Sequence, residues 1–176
     1  MFKIIVCISF FGSFCFAQKH EQLMNYSAYY GQDIDAFRDF IKMEPSAIQS
    51  IGGVRQMVYE LGDHNIGIEE HSSNNDKIGE IYVFQTNDNR SHAQNVWKKY
   101  VNSMDKDQSL IFVKAFFDDG IVKDNNLTYD GLVSLLDSRN LNTNRSYGVR
   151  YKKQNTYFSL FIIKGKLVFT VDDKNY

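Results

Sequence analysis

The placement of the two cysteines most constrains how this chain can fold. Cys7 and Cys15 both lie in an apolar N-terminal stretch, and no cysteine follows among the remaining residues. That stretch follows the basic Lys3 and ends in small residues at the −3 and −1 positions before Gln18, which is the layout of a secretory signal peptide. We expect residues 1–17 to be removed, leaving a mature chain, residues 18–176, that has no disulfide, thiolate catalyst or cysteine metal site.

Two alternatives to cleavage are less consistent with the same stretch. The apolar run from Ile4 to Phe16 is shorter than the roughly 20 residues that a membrane-spanning helix needs. Lipidation at Cys15 is disfavoured because the preceding Phe14 is large. The sequence therefore predicts a secreted or periplasmic protein with no membrane span in its mature chain.

A domain without disulfides must be stabilised by its hydrophobic core. Hydrophobic residues make up 43% of the chain and aromatic residues 15%, which is enough for a core and argues against intrinsic disorder. The net charge of −1 gives no basic field that would hold nucleic acid. We expect one globular domain, residues 18–176, whose partner is not a nucleic acid.

The first part of the mature chain carries apolar residues at helical spacing. Ile34, Phe37 and Ile41 recur at intervals of three and four, and Pro45 interrupts the pattern. A second series at similar spacing follows, with Gly52-Gly53 in its middle: Ile48, Ile51, Val54, Val58 and Leu61. These patterns predict an N-terminal helical segment over residues 20–61.

The rest of the chain alternates between strand and helix patterns. A hairpin near residues 66–84 precedes a helix from Ser91, and the apolar run 110–117 is typical of a central strand. A helix over residues 128–139, capped by Thr128, leads to three alternating segments within residues 147–171. The predicted fold is a single α+β domain: the helical segment, a β–α–β unit around residues 80–117, then a helix and a three-stranded antiparallel meander.

The helix that begins at Ser91 has the clearest apolar stripe in the chain. Its members share one helical face: Ala93, Val96, Trp97, Tyr100, Val101 and Met104. Trp97 lies in the middle of the stripe, so we expect its indole to be buried and to contribute to stability rather than to binding.

A weak candidate metal site consists of His64, Glu69, Glu70 and His71. Imidazoles and carboxylates are suitable zinc ligands, but the spacing matches no H-E-x-x-H helix. On a strand, Glu69 and His71 would share a face while Glu70 points away. A solvated hairpin explains these residues better, so the sequence predicts neither a metal site nor a bound cofactor.

Catalytic motifs are not found in the sequence. It contains no G-x-S-x-G elbow and no glycine-rich phosphate loop. His92 is not a catalytic partner of Ser91, because neighbours on a helix diverge by about 100°. Two acidic residues can still meet from distant positions, so a small exported hydrolase stays open as an alternative.

The closing strands offer a candidate contact surface. Tyrosines alternate with cations there, and such mixtures are common at binding interfaces. The candidate residues are Tyr147, Arg150, Tyr151, Lys152 and Tyr157. A half-buried edge strand protected by positive charge is the competing interpretation.

These observations favour an exported, non-catalytic protein that binds a macromolecular partner or a small ligand. An ordered core is predicted, while no nucleophile, metal or cofactor signature accompanies it. Two alternatives stay open: the small hydrolase, with acid and histidine residues that the sequence does not identify, and an inhibitor- or immunity-like protein that caps a partner enzyme.

Overall fold

The structure is a computed structural model that describes residues 23–85, 90–138 and 145–174. The predicted signal peptide and its cleavage site lie outside the described residues. Helix starts the described chain at residues 23–27.

The described residues form nine β-strands that belong to one sheet. Every neighbouring pair is antiparallel. The strands are β1 Ala47–Ile51, β2 Val54–Glu60, β3 His64–His71, β4 Asn74–Gln85, β5 Ile111–Asp118, β6 Lys123–Leu127, β7 Ser146–Lys153, β8 Thr156–Ile163 and β9 Lys166–Asp172. Their order across the sheet is β1-β2-β3-β4-β9-β8-β7-β5-β6, so β1 and β6 are the edge strands.

Besides the helical residues 23–27, three helices accompany the strands: α1 (Ile34–Ile41), α2 (Arg90–Lys106) and α3 (Tyr129–Ser138). Lys42 ends α1 in the left-handed conformation, with its amide donating to the carbonyl of Arg38 at 2.9 Å. Thr128 caps α3, since its Oγ1 accepts a hydrogen bond from the amide of Gly131 at 3.1 Å. Within the described ranges, no helix combines the length and the apolarity needed to cross a membrane.

All three helices lie on the same face of the sheet, which we call the covered face. Phe37 of α1 packs edge-on against Tyr59, and the indole of Trp97 in α2 packs edge-on against Tyr147. The core between these layers is built from alternate strand residues whose register aligns them across the sheet. They include Tyr59, Ile66, Val83, Phe169, Leu160, Val149 and Ala115.

The predicted burial of Trp97 is confirmed. The side chain is 1% exposed, and its Nε1 donates a hydrogen bond to the carbonyl of Leu160 at 3.0 Å. Such a partner satisfies the one polar atom of the indole, so the ring can be buried without a desolvation penalty.

The predicted fold class was wrong, and the N-terminal segment is one reason. Helix ends at Ile41, and residues 47–60 form the hairpin of β1 and β2. Gly52 and Gly53 have φ angles of 61° and 84°, the two positive values that a tight hairpin turn requires. Ile48, Ile51 and Val54 recur at intervals of three, as in a helix, but Ile51 and Val54 lie on opposite sides of the turn and pair with each other.

The arrangement of the later elements is the second reason. The predicted β–α–β unit does not exist as neighbouring strands, because β9, β8 and β7 lie between β4 and β5. The three closing strands are therefore the middle of a nine-stranded antiparallel sheet rather than a separate meander. The apolar run of β5 is not central either, since only the short β6 separates it from the sheet edge.

Candidate ligand-binding groove

The second face of the sheet, which we call the open face, is covered by none of the three helices described above. Four aromatic side chains nevertheless lie on it, half-buried: Tyr82, Phe84, Phe116 and Phe161. A sheet face that is exposed to water usually carries polar side chains, which alternate along each strand with the apolar side chains of the core face. Aromatic rings in this position suggest a surface adapted to something other than water.

Gly148 brings two of these rings together. It lies between Phe116 on β5 and Phe161 on β8, and it pairs with both in register. A Cβ atom at Gly148 would approach Phe161 Cβ to 2.4 Å and Phe116 Cε1 to 2.8 Å. Only glycine therefore lets the two rings approach each other over β7, with their centroids 6.1 Å apart.

A buried ion pair forms the polar floor of this face. Arg150 Nη2 donates to Asp172 Oδ1 at 2.7 Å, and Arg150 Nη1 donates to the hydroxyl of Ser159 at 2.9 Å. Asp172 is 1% exposed and Arg150 is 7% exposed. Burial raises the pKa of the Asp172 carboxyl, and the neighbouring guanidinium of Arg150 acts in the opposite direction.

Two sets of contacts explain how this pair is buried on a face that the described helices leave open. The ring of Tyr157 lies under the guanidinium of Arg150, 4.5 Å from centroid to Cζ, and the ammonium of Lys152 lies 5.1 Å from the same ring. The chain after β9 turns back, so that the carbonyl of Lys174 accepts a hydrogen bond from Arg150 Nη2. The ammonium of Lys174 pairs with Glu80.

A groove of about 450 Å³ runs along this part of the open face. Its volume lies within the range of about 300–1,000 Å³ that is usual for small-ligand sites. The apolar lining comes from Phe116, Val149, Phe161 and Ile163, and the polar lining from Glu80, Lys114, Asn125, Arg150, Ser159 and Thr170. Rings, hydroxyls, an amide and charged groups thus converge on one concave space.

The structure divides the five predicted contact residues between the two faces. Successive strand residues point to opposite faces, so Tyr147 and Tyr151 enter the covered core while Arg150 and Lys152 lie on the open face with Tyr157. The hydroxyl of Tyr151 donates to Asp105 of α2. Burial is the main cause that raises the pKa of Tyr147 to about 12. Of the five, Arg150 alone lines the groove.

The four weak metal candidates are held apart by other partners. Glu70 is buried in an ion pair with Arg55, Glu69 accepts from the amide of Gln56, and His71 Nδ1 lies 2.9 Å from Ser73 Oγ. Within residues 23–85, 90–138 and 145–174, no three His, Cys, Asp or Glu side chains converge as metal ligands.

His64 belongs to a different arrangement, which the sequence pattern did not predict. Its Nδ1 lies 2.6 Å from Asp63 Oδ1, and its Nε2 lies 3.1 Å from the hydroxyl of Tyr26. A carboxylate, an imidazole and a hydroxyl in this order resemble an acid–base relay. The adjoining cavity has a volume of about 30 Å³, however, which is enough for a water molecule and too small for a substrate. This contact joins the N-terminal helical turn to the sheet.

Sequence reasoning missed the groove residues Lys114, Phe116 and Phe161. The run 110–117 is so largely apolar that both of its faces were expected to be buried, and the run 157–163 was interpreted only as an apolar strand. The single lysine inside the first run was the available signal, because a cation is rare inside a strand that is buried on both faces.

Comparisons with known proteins identify no family. No family model matches the chain, and no curated protein matches it. Among solved structures, a cysteine-rich secretory protein from Staphylococcus aureus is similar with a TM-score of 0.44 and 13% sequence identity. The similar region covers 84% of this chain and 45% of that protein, so the chain spans less than half of its length.

Proposed function

We propose that this protein is an exported, non-catalytic binding protein whose small ligand occupies the groove on the open face. The observation that carries the proposal is the groove itself: about 450 Å³ in volume, with aromatic rings on one side and hydrogen-bonding groups on the other. A mostly apolar pocket with a few converging polar groups is the usual form of a small-ligand site. Export is supported by the leader pattern of residues 1–17.

A catalytic role is less well supported by the same groove. The acid groups at its floor and rim are committed to ion pairs, Asp172 with Arg150 and Glu80 with Lys174. An acid or base catalyst must exchange a proton with the substrate, and a carboxylate held by a cation is poorly suited to do so. The groove therefore favours binding over hydrolysis.

Binding of N-phenyl-1-naphthylamine, a neutral aromatic probe, tests the proposal. Its fluorescence should rise when it enters an apolar groove, and the signal should saturate at one probe per chain. Replacing Phe161 with Ala should weaken the affinity roughly tenfold, because that ring forms part of the apolar wall.

Phe40 provides the matched control. It is an aromatic residue on α1, 41% exposed, and it belongs to the covered side of the molecule. The Phe40→Ala variant should keep the affinity of the unaltered protein. Equal loss in both variants, or no saturable binding at all, would contradict the proposed function.

A further inference from the structure

We propose that the edge strand β1 binds an extended segment of a basic polypeptide as an additional antiparallel strand. Alternate lysine or arginine side chains of that segment enter a groove beside α1 in which acidic groups outnumber basic ones. This surface is separate from the groove on the open face, so the inference goes beyond the proposed function and does not depend on it. Three observations carry it: the outward-facing backbone of β1, the exposed apolar side chains of β1, and the charge of the adjoining groove.

The outer edge of β1 has backbone groups that no described strand uses. β1 ends the sheet order, and all five of its residues are exposed. Ile51 and Val54 flank a two-residue turn and form a hydrogen-bonded pair, and such pairs alternate with non-bonded pairs along an antiparallel ladder. The amides and carbonyls of Ile48 and Ser50 therefore point away from β2, where an added strand would pair with them.

The two edge strands of the sheet differ in how they are protected. Charged side chains on an edge strand oppose pairing with another chain. β6 carries Lys123 and Asp124, whereas β1 has the sequence Ala-Ile-Gln-Ser-Ile, with no charged residue and no proline. Ile48 is 61% exposed and Ile51 is 56% exposed. An added strand would therefore meet no charge on β1 and would remove apolar surface from water.

A groove of about 570 Å³ adjoins this edge and is bounded by α1, β1 and β2. Ile48 and its register partner Met57 both line it, so the side chain of Ile48 lies on the face that α1 covers. Ser50 shares that face because it follows two residues later. In an added antiparallel strand, the residues opposite Ile48 and Ser50 would project their side chains on the same face, beside the groove.

The lining of this groove carries more acidic than basic groups. Its carboxylates are Asp33, Asp35, Glu44 and Asp76, and its cations are Arg38 and Arg55. Ion pairs add one group of each sign, Lys77 with Asp33 and Glu70 with Arg55. Arg38 alone pairs with both Asp35 and Glu44. The lining residues and their ion-pair partners thus comprise five carboxylates against three cations, and this excess favours a cationic partner.

The charge of the groove also decides between a basic segment and a second copy of this chain. Two copies paired through β1 would place two acidic grooves side by side, and such a juxtaposition of like charges is unfavourable. A lysine or arginine of a partner instead lays its aliphatic stem on Ile48 and brings its charged end to Asp35 or Glu44, both of which are exposed. The partner that fits is therefore extended and cationic.

Three fluorescein-labelled peptides test the inference by fluorescence anisotropy. The first repeats Lys-Thr four times. The second is N-methylated on the backbone amides of its lysines, and the third on those of its threonines. With the lysines on the groove side of an antiparallel strand, the lysine amides face β1 and the threonine amides face away. We expect saturable binding of the first peptide at one per chain, about tenfold weaker binding of the second, and binding of the third within about twofold of the first.

Variants of the protein test the backbone edge and the groove separately. Ser50→Pro should weaken the unmethylated peptide about tenfold, because it removes an outward-facing donor and leaves the ladder with β2 intact. Ser50→Ala keeps that amide and should keep the affinity. Asp35→Asn with Glu44→Gln should also weaken binding about tenfold. The same charge change on α3, at the other end of the sheet, is the matched control: Asp130→Asn with Asp137→Asn should have no effect.

Several results would overturn the inference. Equal binding of the first two peptides would do so without any variant, and so would an affinity that survives Ser50→Pro in protein whose Trp97 emission shows normal folding. Equal weakening by the two acid double variants would remove the role of the groove. A dimer seen by sedimentation without peptide and lost in Ser50→Pro would identify a second copy as the occupant of β1. Binding of N-phenyl-1-naphthylamine to the open face should stay unchanged in every variant, so the two proposals can fail separately.

Discussion

Arg150 Nη2 lies 2.7 Å from Asp172 Oδ1, and both side chains are almost completely buried on the face of the sheet that the described helices leave open. The pair spans from β7 to the end of β9 across the intervening β8. It therefore links three strands below the groove and fixes the polar end of the binding surface.

Breaking this pair should be costly, whereas replacing both partners should not. Arg150→Met and Asp172→Leu alone should each lower the free energy of unfolding by roughly 3–5 kcal/mol, because each leaves a buried charge without its counterion. The double variant should lie within about 1 kcal/mol of the unaltered protein or exceed it. Urea unfolding of the unaltered protein, the two single variants and the double variant measures the coupling energy between Arg150 and Asp172. Single variants that each cost below about 1 kcal/mol would mean that water screens the pair.

Trp97 should make a large contribution to stability. The Trp97→Ala variant should lose roughly 3–5 kcal/mol of unfolding free energy, the usual cost of removing a buried aromatic side chain. Trp97→Phe should lose about 1–3 kcal/mol, since the carbonyl of Leu160 loses a donor while the packing is partly kept. The native emission of this single tryptophan should be blue-shifted and resistant to iodide. Red-shifted, easily quenched emission together with normal folding of Trp97→Ala would show an exposed indole.

Tyr147 should make stability fall at alkaline pH. Burial raises its pKa from 10.0 to about 12, so the folded chain keeps a proton that the unfolded chain has already lost. Stability decreases with rising pH wherever the folded state binds more protons. The loss should be about 1.4 kcal/mol at pH 11 relative to pH 8. Over the same pH range, the unfolding free energy of the Tyr147→Phe variant should fall by about 1.4 kcal/mol less than that of the unaltered protein, as measured by urea unfolding. If the unfolding free energies of the two proteins fell in parallel with rising pH, the phenol of Tyr147 would be exposed to water.

Several elements were predictable because their signal is local. The stripe of α2 and the Thr128 cap of α3 depend on residues within a few positions of each other. The hairpin of β1 and β2 depends on Gly52-Gly53 at its turn, and this signal was outweighed by an apolar spacing that suits a helix equally well. The strand order was not predictable, because no local pattern places β9 beside β4.

The candidate site was less predictable still. It depends on which face each residue of β5, β7 and β8 presents, and the largely apolar runs of β5 and β8 carry little alternation that would assign those faces. The contact surface proposed from the sequence included Arg150 for its charge, but Tyr147 and Tyr151 alternate to the opposite face. The pairing of Arg150 with Asp172 joins residues 22 positions apart, and only the sheet brings them together.

The proposed export also leads to a prediction. The mature protein should begin at Gln18, because the leader pattern ends at Ala17. Intact-mass measurement of protein recovered from the exported fraction checks this directly, with cyclisation of the terminal glutamine as an additional loss of ammonia. A mass that retains residues 1–17, or one that carries lipid on Cys15, would contradict it.

The central claim is that the groove on the open face is the ligand site, and three exposed isoleucines test it within one sample. Ile163 lines the groove, whereas Ile48 lies on the edge strand β1 and Ile121 lies in the turn after β5. In a carbon–proton correlation spectrum of isoleucine-methyl-labelled protein titrated with N-phenyl-1-naphthylamine, the Ile163 methyl signal should shift and saturate with the probe fluorescence. The signals of Ile48 and Ile121 should stay in place. A saturable shift of Ile48 or Ile121 with Ile163 unmoved would contradict the account.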